Sequence, residues 1–336
     1  MNLPARPLVL VTHPQGRLAD YFGEQALRQL GAVAQVRLNP FNTDLSGQEL
    51  IDAAQGCVAI IAYRQTPLGA PVFAALASLQ AVVRCAVDIR TIDVDAASRH
   101  GVLVTQASAG FMASVSEWVI GVMIDQSRHI TSAAATYHAG IEAQPRMGRE
   151  LRGATLGVIG YGQISRYLCL LALALGMRVV VTDPHARVSE AGIEQTGMTE
   201  LLAVADFVVC LAPANASTEN LLGEPAFAAM KPGAFFINAA RGNLVDEDAL
   251  LHALESGHLG GAAVDVGRAV DQMPSLALAR HARVIATPHI GGLTPPAIEH
   301  QALETVAQTS EILRGRIPNG AVNAHSATRL RASARA

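Results

Sequence analysis

Short apolar runs alternate with stretches of helical periodicity along most of the chain. In the first hundred residues, runs such as PLVLV and AIIAY are typical of buried strands. The strands predicted there are Pro7–Thr12, Val58–Tyr63 and Ala81–Cys85, and the predicted helices are Gly16–Gly31 and Pro71–Leu79. This alternation favours a parallel sheet with helices on both faces.

A long helix, predicted over Ala109–Tyr137, and a polar segment, 144–153, precede a second region with the same alternation. The strands predicted in that region are Thr155–Ile159, Arg178–Thr182, Phe207–Leu211, Ala234–Asn238, Gly261–Val264 and Val284–Ala286. The last predicted helix, Pro296–Arg314, has an amphipathic pattern with no partner in the second sheet and is expected to return to the first region. We therefore predict an α/β fold with two Rossmann-like, doubly wound parallel sheets and a cleft between them.

Composition changes this picture little. At 336 residues the chain is long enough for two domains, because single cores stop growing near about 250–300 residues. The formal net charge is only −3, so neither a nucleic-acid nor a membrane partner is expected. The four cysteines are far apart, which is typical of free thiols in a reducing cytoplasm, and no metal site is predicted. The Arg-containing tail, residues 329–336, is expected to be disordered.

The segment TLGVIGYGQIS reads as a strand, a glycine turn and the start of a helix over Gln163–Leu175. Gly160 allows the tight turn, and Gly162 lets a pyrophosphate approach the backbone at the helix N-terminus. Ser165 replaces the third glycine of the pattern, at a position where a small residue suffices. The segment predicts a dinucleotide site.

Asp183 lies at the end of the next predicted strand, eighteen residues after Ser165. An acid at this position accepts hydrogen bonds from the adenosine ribose. Its charge would repel the 2′-phosphate of NADP. The predicted cofactor is therefore NAD.

Polar side chains follow three later strands. Arg241 can bind a carboxylate through two parallel N–H bonds, and His289 can exchange a proton with a carbonyl or alcohol oxygen. Asp265 could anchor the nicotinamide amide. In this order after a dinucleotide unit, they indicate hydride transfer.

The motifs LGVIGYGQIS, MKPGAFFINAARGNLVDEDAL, GGAAVDV and TPHIGG resemble those of the NAD-dependent D-2-hydroxyacid dehydrogenases. This family includes D-3-phosphoglycerate, glyoxylate/hydroxypyruvate and D-lactate dehydrogenases, and the similarity covers about residues 5 to 323. The resemblance implies a discontinuous, flavodoxin-like substrate domain, residues 1–105 and 296–336. It also implies an NAD-binding Rossmann domain, residues 106–295, through which two copies form a homodimer.

The resemblance further implies that Arg241 binds substrate and that His289 is the acid/base. The residues expected to bind cofactor are Gly160, Gly162, Gln163, Ile164, Asp183, Pro213, Ala239, Asp265 and Gly291. Those expected to bind the 2-hydroxy/2-oxo acid substrate are Ala86, Val87, Asp88, Arg90 and Arg241.

One departure from the family concerns the partner of His289. The family usually has a glutamate five residues after the aspartate of its LDV motif, and that glutamate hydrogen-bonds the catalytic histidine. Here Val270 occupies that position and Asp271 follows it. Either Asp271 substitutes for the glutamate or His289 has no carboxylate partner. We favour the second, because the segment has no obvious compensating insertion.

A second departure is in the substrate loop, where the family often has RxGxGxDxID and this chain has RCAVDIRTID. Both glycines are replaced, and Arg90 stands where the family has an acid. Either Asp88 and Arg90 select a substrate with a second anionic or polar group, or they pair with each other on a rebuilt loop.

The leading hypothesis is an NAD-dependent oxidoreductase acting on a 2-hydroxy/2-oxo acid. The alternative is a catalytically weakened, NAD(H)-responsive regulatory protein, which the missing glutamate favours and the retained Arg241 and His289 oppose. A formate-dehydrogenase-like activity is disfavoured, because the glutamine that those enzymes have at the glutamate position is absent.

Overall fold

The computed structural model describes residues 6–333 of the protein. These residues form two compact units. The first unit ends at Gly110 and resumes at Pro295, and the second comprises Phe111–Thr294. Each unit is built on a parallel sheet, which confirms the predicted α/β class.

Five parallel strands form the sheet of the first unit as described. They are β1 (Leu8–Val11), β2 (Gln35–Leu38), β3 (Ala59–Ala62), β4 (Ala81–Arg84) and β5 (Leu103–Gln106). The helices along this part of the chain are α1 (Gln15–Tyr21), α2 (Gly23–Val33), α3 (Gly47–Ala53), α4 (Ala70–Ala75) and α5 (Val94–Arg99). The strand order β2-β1-β3-β4-β5 is the flavodoxin-like doubly wound order.

Successive side chains of a strand point to opposite faces, so both faces of this sheet carry apolar residues. Val9 and Val11 pack in one cluster with Leu30 of α2. Leu10 packs on the other face with Phe73 of α4. All four of these aliphatic side chains are fully buried, and each such burial is worth about 1.5–3 kcal/mol. The helices therefore cover both faces.

Seven parallel strands form the sheet of the second unit. They are β6 (Thr155–Ile159), β7 (Arg178–Thr182), β8 (Ile193–Gln195), β9 (Phe207–Cys210), β10 (Phe235–Asn238), β11 (Gly261–Val264) and β12 (Val284–Ala286). The helices of this unit are α6 (Met112–Arg128), α7 (Ile130–His138), α8 (Gln163–Ala174), α9 (Met198–Val204), α10 (Glu224–Ala229), α11 (Glu247–Glu255) and α12 (Leu276–Ala279). The order β12-β11-β10-β9-β6-β7-β8 reverses direction between β6 and β9, as in a dinucleotide-binding Rossmann sheet.

Two predicted helices are each divided in the structure. The helix predicted over Ala109–Tyr137 breaks at His129, whose φ of 58° lies in the left-handed region and separates α6 from α7. The helix predicted over Gly16–Gly31 breaks where Phe22 leaves α1 and Gly23, at φ 81°, begins α2. Backbone conformation, rather than loss of apolar periodicity, ends these helices.

The chain returns to the first unit through α13 (Pro295–Leu313), which packs on α1, α2 and β4. The expectation of a disordered tail is wrong for residues 329–333, since α14 (Thr328–Ser333) is helical. Leu330 is fully buried, and Arg329 donates hydrogen bonds to the Leu76 and Leu79 carbonyls at 2.6 and 3.0 Å. The rest of that predicted tail, 334–336, lies outside the described residues.

None of the helices between residues 6 and 333 combines the length and the apolar composition that crossing a membrane requires.

Candidate active site

The glycine turn lies at the point where the strand order of the second sheet reverses. Gly160 follows β6 with φ 92°, and its N–H donates to the Thr182 carbonyl at 2.8 Å. A Cβ at Gly160 would lie 2.8 Å from the backbone of Ala212, just after β9. The turn is therefore wedged between the ends of β7 and β9, and only glycine fits there. In such sheets, ligands bind outside the carboxyl ends of the strands at the reversal.

Gly162 caps the N-terminus of α8, and a Cβ placed on it would meet no atom within 4 Å. The space beside it is open to a ligand that a side chain would obstruct. Gln163 and Ile164 form the first turn of α8, where N–H groups have no partner within the helix and the dipole favours an anion. Ser165, at the third glycine position, is buried. The turn fits a pyrophosphate.

The Asp183 carboxylate lies against the glycine turn. It accepts hydrogen bonds from the backbone N–H of Tyr161 at 2.7 Å, of His185 at 2.7 Å and of Ala186 at 2.8 Å. Burial raises the pKa of this carboxyl, but the bonds from Ala186, Tyr161 and His185 outweigh burial and lower the pKa overall. A carboxylate has about four acceptor positions, so the anion retains capacity for a ribose hydroxyl.

Arg241 lies in a loop that the buried Asn238 shapes at the end of β10. The Asn238 amide accepts from the Ala240 N–H at 3.1 Å and donates to the Arg241 carbonyl at 3.0 Å. The Arg241 side chain is half-buried and donates to the Ala240 carbonyl at 2.7 Å. A Cβ on Gly242 would lie 2.0 Å from the Gly267 carbonyl oxygen, so this loop packs tightly on the loop after β11.

Asp265 organises the loop that carries His289. Its buried carboxylate accepts from the Thr287 hydroxyl at 2.6 Å, the Ile290 N–H at 2.8 Å and the Gly291 N–H at 2.7 Å. A Cβ on Gly291 would lie 2.8 Å from that carboxylate, which excludes a side chain there. From the sequence, Asp265 is assigned to the nicotinamide amide. Its role in holding the loop at residues 287–291 was missed, because the sequence does not show that this loop folds over the buried carboxylate.

The contact on the His289 imidazole comes from the main chain. Nδ1 of His289 lies 3.1 Å from the backbone carbonyl oxygen of Asp271. Val270, at the family's glutamate position, is 91% exposed and points its side chain to solvent. The sequence-based alternatives considered side chains only, so neither contained a main-chain acceptor. His289 itself has a φ of 56°.

The two remaining predicted cofactor residues also follow strands of this sheet. Pro213 comes after β9, and its carbonyl accepts from the Thr218 hydroxyl at 2.8 Å. Ala239 comes directly after β10 and is half-buried. Both lie at the carboxyl edge of the sheet, as the glycine turn does.

The loop after β4 in the first unit holds an ion pair. The Arg90 guanidinium donates two bonds to the Asp88 carboxylate at 3.0 Å and a third at 2.6 Å, and the Arg90 N–H adds another at 2.9 Å. This geometry is the mutual pairing foreseen as one of the two alternatives. Ala86 and Val87 precede the pair and are half-buried.

Arg84, which sequence reasoning did not select, is the largest fully buried side chain described. It donates to the carbonyls of Tyr63 and Thr66 and to the Thr91 hydroxyl. Burial lowers the pKa of its guanidinium to about 10. The signal in the sequence was an arginine ending the apolar run AVVR, where a cation needs buried acceptors.

Comparison with known proteins identifies the family. Residues 120–291 match the family model described as D-isomer specific 2-hydroxyacid dehydrogenase, NAD binding domain. The chain belongs to this family and carries its NAD-binding domain. The resemblance seen in the motifs is thereby confirmed, and so is NAD as the cofactor of that domain.

Individual relatives support the family assignment. D-3-phosphoglycerate dehydrogenase of Pongo abelii is 36% identical over 290 residues, which are 85% of this chain and 54% of that protein. The crystal structure of the TT0316 protein from Thermus thermophilus has a TM-score of 0.81 and 30% identity, covering 94% of this chain and 99% of that one. A putative D-isomer specific 2-hydroxyacid dehydrogenase from Polaromonas has a TM-score of 0.86 at 22% identity, covering 95% and 100%, and supports the fold alone. The chain spans about half the length of the curated relatives it matches.

Proposed function

We propose that the protein is an NAD-dependent oxidoreductase that transfers a hydride between NAD(H) and a 2-hydroxy/2-oxo acid. One observation carries the proposal: loops after parallel strands of one sheet carry the open glycine turn at Gly162, the half-buried Arg241 and the oriented His289. The carboxyl ends of parallel strands meet at the same edge of a sheet. The groups that would bind the dinucleotide and the groups that would bind and protonate the 2-oxo acid thus follow strands of the same sheet.

Arg241 and His289 have separate roles in the proposed reaction. When bound, NADH would supply the hydride that reduces the carbonyl carbon of the oxo acid. Arg241 binds the substrate carboxylate and polarises the adjacent carbonyl. With Nδ1–H of His289 donated to the Asp271 carbonyl, Nε2 of the doubly protonated ring gives its proton to the carbonyl oxygen as the hydroxy acid forms, which leaves the neutral Nδ1–H ring. In oxidation, the same nitrogen accepts the proton.

The residues at the turn are suited to hold the cofactor. Gly162 and the first N–H groups of α8 would take the pyrophosphate, and Asp183 would take the ribose. The Asp265 carboxylate keeps Gly291 and its neighbours in place, and its remaining acceptor capacity is available to the nicotinamide amide.

For the first unit, we propose the role of substrate domain, with Ala86 and Val87 offering backbone groups to the acid. The paired Asp88 and Arg90 would open toward a substrate only if it carried a second anionic or polar group, because Arg90 would exchange one anion for another.

We also propose a homodimer formed through the NAD-binding unit, in a reducing cytoplasm. Large apolar side chains are exposed along α6, α7 and the segment that follows. They are Ile124, Ile130, Tyr137, Ile141 and Met147. Contiguous exposed apolar surface marks interaction sites. All four cysteines are buried free thiols, which supports the compartment.

A substrate panel tests the proposed activity. We expect NADH consumption with at least one of glyoxylate, hydroxypyruvate, pyruvate and a dicarboxylic 2-oxo acid, or NAD⁺ reduction with D-3-phosphoglycerate. Arg241→Ala should lose several kcal/mol of transition-state binding while retaining NADH affinity, because the arginine is assigned to the substrate. An absence of turnover across the panel, with NADH still bound, would instead favour the regulatory alternative.

A further inference from the structure

The carbonyl that contacts His289 belongs to a loop held from outside at Arg268, whose backbone N–H donates to the Glu247 carboxylate at 3.1 Å. Arg268 follows β11 in this loop and donates through Nη1 to the Glu219 carboxylate at 2.9 Å. Its Nη2 donates to the Asn220 side chain and to the Asn243 carbonyl at 3.1 Å, and its Nε donates to the Val245 carbonyl at 3.2 Å. One guanidinium thus joins the loop to two other segments of the same unit.

The loop is closed on itself between Arg268 and the contact with His289. The Gly267 N–H donates to the Gln272 carbonyl at 2.8 Å, and the Ala269 N–H donates to the Met273 carbonyl at 3.0 Å. A Cβ on Gly267 would lie 2.6 Å from Cα of Pro274, so the two ends of the loop are in close contact. A displacement of the start of the loop therefore displaces the carbonyl at its tip.

The tip of the loop has a disfavoured backbone. Asp271 and Gln272 both have φ of 58°, in the left-handed region that residues other than glycine rarely adopt. Consecutive strained residues persist only where their surroundings hold them, and they concentrate at functional sites. Here the strained pair directs the Asp271 carbonyl at Nδ1 of His289, whose own φ is 56°.

We propose that Arg268 is a positioning residue for the acid/base: it clamps the loop Gly267–Pro274 so that the Asp271 main-chain carbonyl, in place of a carboxylate side chain, orients His289. This inference rests on the proposed function, in which His289 moves the proton. An exposed ion pair with Glu219 alone would contribute little. The additional bonds to the carbonyls of Asn243 and Val245 fix the guanidinium to main chain and make it a clamp.

Kinetics give the first test. Arg268→Ala should lower kcat by roughly 10- to 100-fold, the cost of misplacing a catalytic group, with little change in KM for NADH. Arg268→Lys should recover only part of this loss, because an ammonium lacks the planar fork that reaches all four acceptors. Added guanidinium ion should restore turnover to Arg268→Ala. Arg178→Ala is the matched control, since Arg178 forms an exposed pair with Glu194 in the same unit without touching the loop.

A spectroscopic test is independent of turnover. Nitrogen-15 NMR of labelled histidines, assigned with His289→Gln, should show one Nδ1–H tautomer of His289 in the unchanged protein. In Arg268→Ala, the chemical shifts of the two ring nitrogens should move toward the average of the two tautomers. Should Arg268→Ala fail to fold, Glu219→Gln, which weakens one arm of the clamp, should shift both kcat and the ring signals in the same direction by a smaller amount.

The outcomes separate the two proposals. Turnover by the unchanged protein together with an unaltered kcat and unaltered ring signals in Arg268→Ala overturns the clamp. Failure of the unchanged protein to turn over any 2-oxo acid contradicts the proposed function, and in that case the ring signals alone decide: a tautomer shift in Arg268→Ala supports the clamp, and unchanged signals overturn it.

Discussion

The backbone carbonyl of Asp271 lies 3.1 Å from Nδ1 of His289. A carbonyl oxygen can only accept a hydrogen bond, so it fixes Nδ1 as the protonated nitrogen and leaves Nε2 to exchange a proton. A carboxylate would do the same and would also add a negative charge beside the ring. The protein thus orients its proposed acid/base with a neutral group, and the side chain of residue 271 is not what makes this contact.

Substitutions at position 271 should therefore follow backbone preference rather than charge. Asp271→Asn keeps a residue that tolerates positive φ, whereas Asp271→Val places a β-branched side chain where it is strongly disfavoured. We expect a larger loss of kcat in Asp271→Val than in Asp271→Asn. Equal losses in the two variants, measured with one 2-oxo acid, would assign the role to the carboxylate instead.

The two glycines of the turn should respond differently to alanine. Gly160→Ala combines φ 92° with a contact of 2.8 Å to the Ala212 backbone, so the free energy of unfolding should fall by about 1–3 kcal/mol. Gly162→Ala meets no atom within 4 Å and should change stability by less than about 0.5 kcal/mol. It should nevertheless weaken NADH binding by obstructing the pyrophosphate. Urea unfolding and NADH titration of both variants test these two expectations. Normal NADH affinity in Gly162→Ala would show that the cofactor pyrophosphate does not bind at this glycine.

Cofactor choice should depend on Asp183. The three N–H groups that lower its pKa keep it ionised at neutral pH, and an anion at the ribose disfavours a 2′-phosphate. We expect NADH to bind much more tightly than NADPH. In Asp183→Asn, where the charge is absent, the ratio of the two dissociation constants should approach one. Equal affinities for NADH and NADPH in the unchanged protein would contradict the assignment of Asp183 to the adenosine ribose.

Much of the fold follows from the apolar pattern. The buried strands β1, β3 and β4 and the strands β6, β7 and β9–β12 were predicted within one or two residues of their observed bounds. The edge strands β2, β5 and β8 were not predicted. An edge strand is covered on fewer sides and carries polar residues, as QVRL and IEQ do. β5 is mostly buried, but its apolar run in LVTQ is only two residues long. The last helix returned to the first unit, but the pattern alone could not show that Leu330 would also be buried there.

Candidate site residues could be selected where a motif requires one residue type. Gly160, Asp183 and His289 were selected from motifs, and the structure places the first two against one turn. Main-chain groups carry no signal of their own in a sequence, so the Asp271 carbonyl was missed. Arg84 was missed although it ends the apolar run AVVR, because that run does not show which carbonyls and hydroxyls would accept from the buried guanidinium.

The stability of the second unit should depend on pH through Asp206. Its carboxylate accepts from the Thr155 N–H at 2.8 Å and from Lys231 at 2.8 Å. Burial raises its pKa, but Lys231 and the Thr155 N–H outweigh burial and lower the pKa overall. A depressed pKa contributes stability above the unfolded value of about 3.9, and that contribution disappears as the pH falls through the folded value.

Asp206→Asn should therefore lower the free energy of unfolding by about 2 kcal/mol at neutral pH, since this side chain is only 16% exposed. The difference from the unchanged protein should shrink as the pH falls below about 4. Glu194→Gln, which breaks a half-exposed pair with Arg178, should cost at most about 1 kcal/mol. Urea unfolding across this pH range compares the two, and a loss in Asp206→Asn that does not vary with pH would contradict the electrostatic account.

The most direct test of the account is the effect of His289→Gln on turnover and on cofactor binding, measured on the same preparation. We predict that kcat for the best 2-oxo acid falls by roughly 10²–10⁴, the usual worth of a positioned acid/base, while NADH affinity stays nearly unchanged. A His289→Gln variant that reduces the acid at close to the original kcat would contradict the assignment of His289 and, with it, the mechanism proposed for this protein.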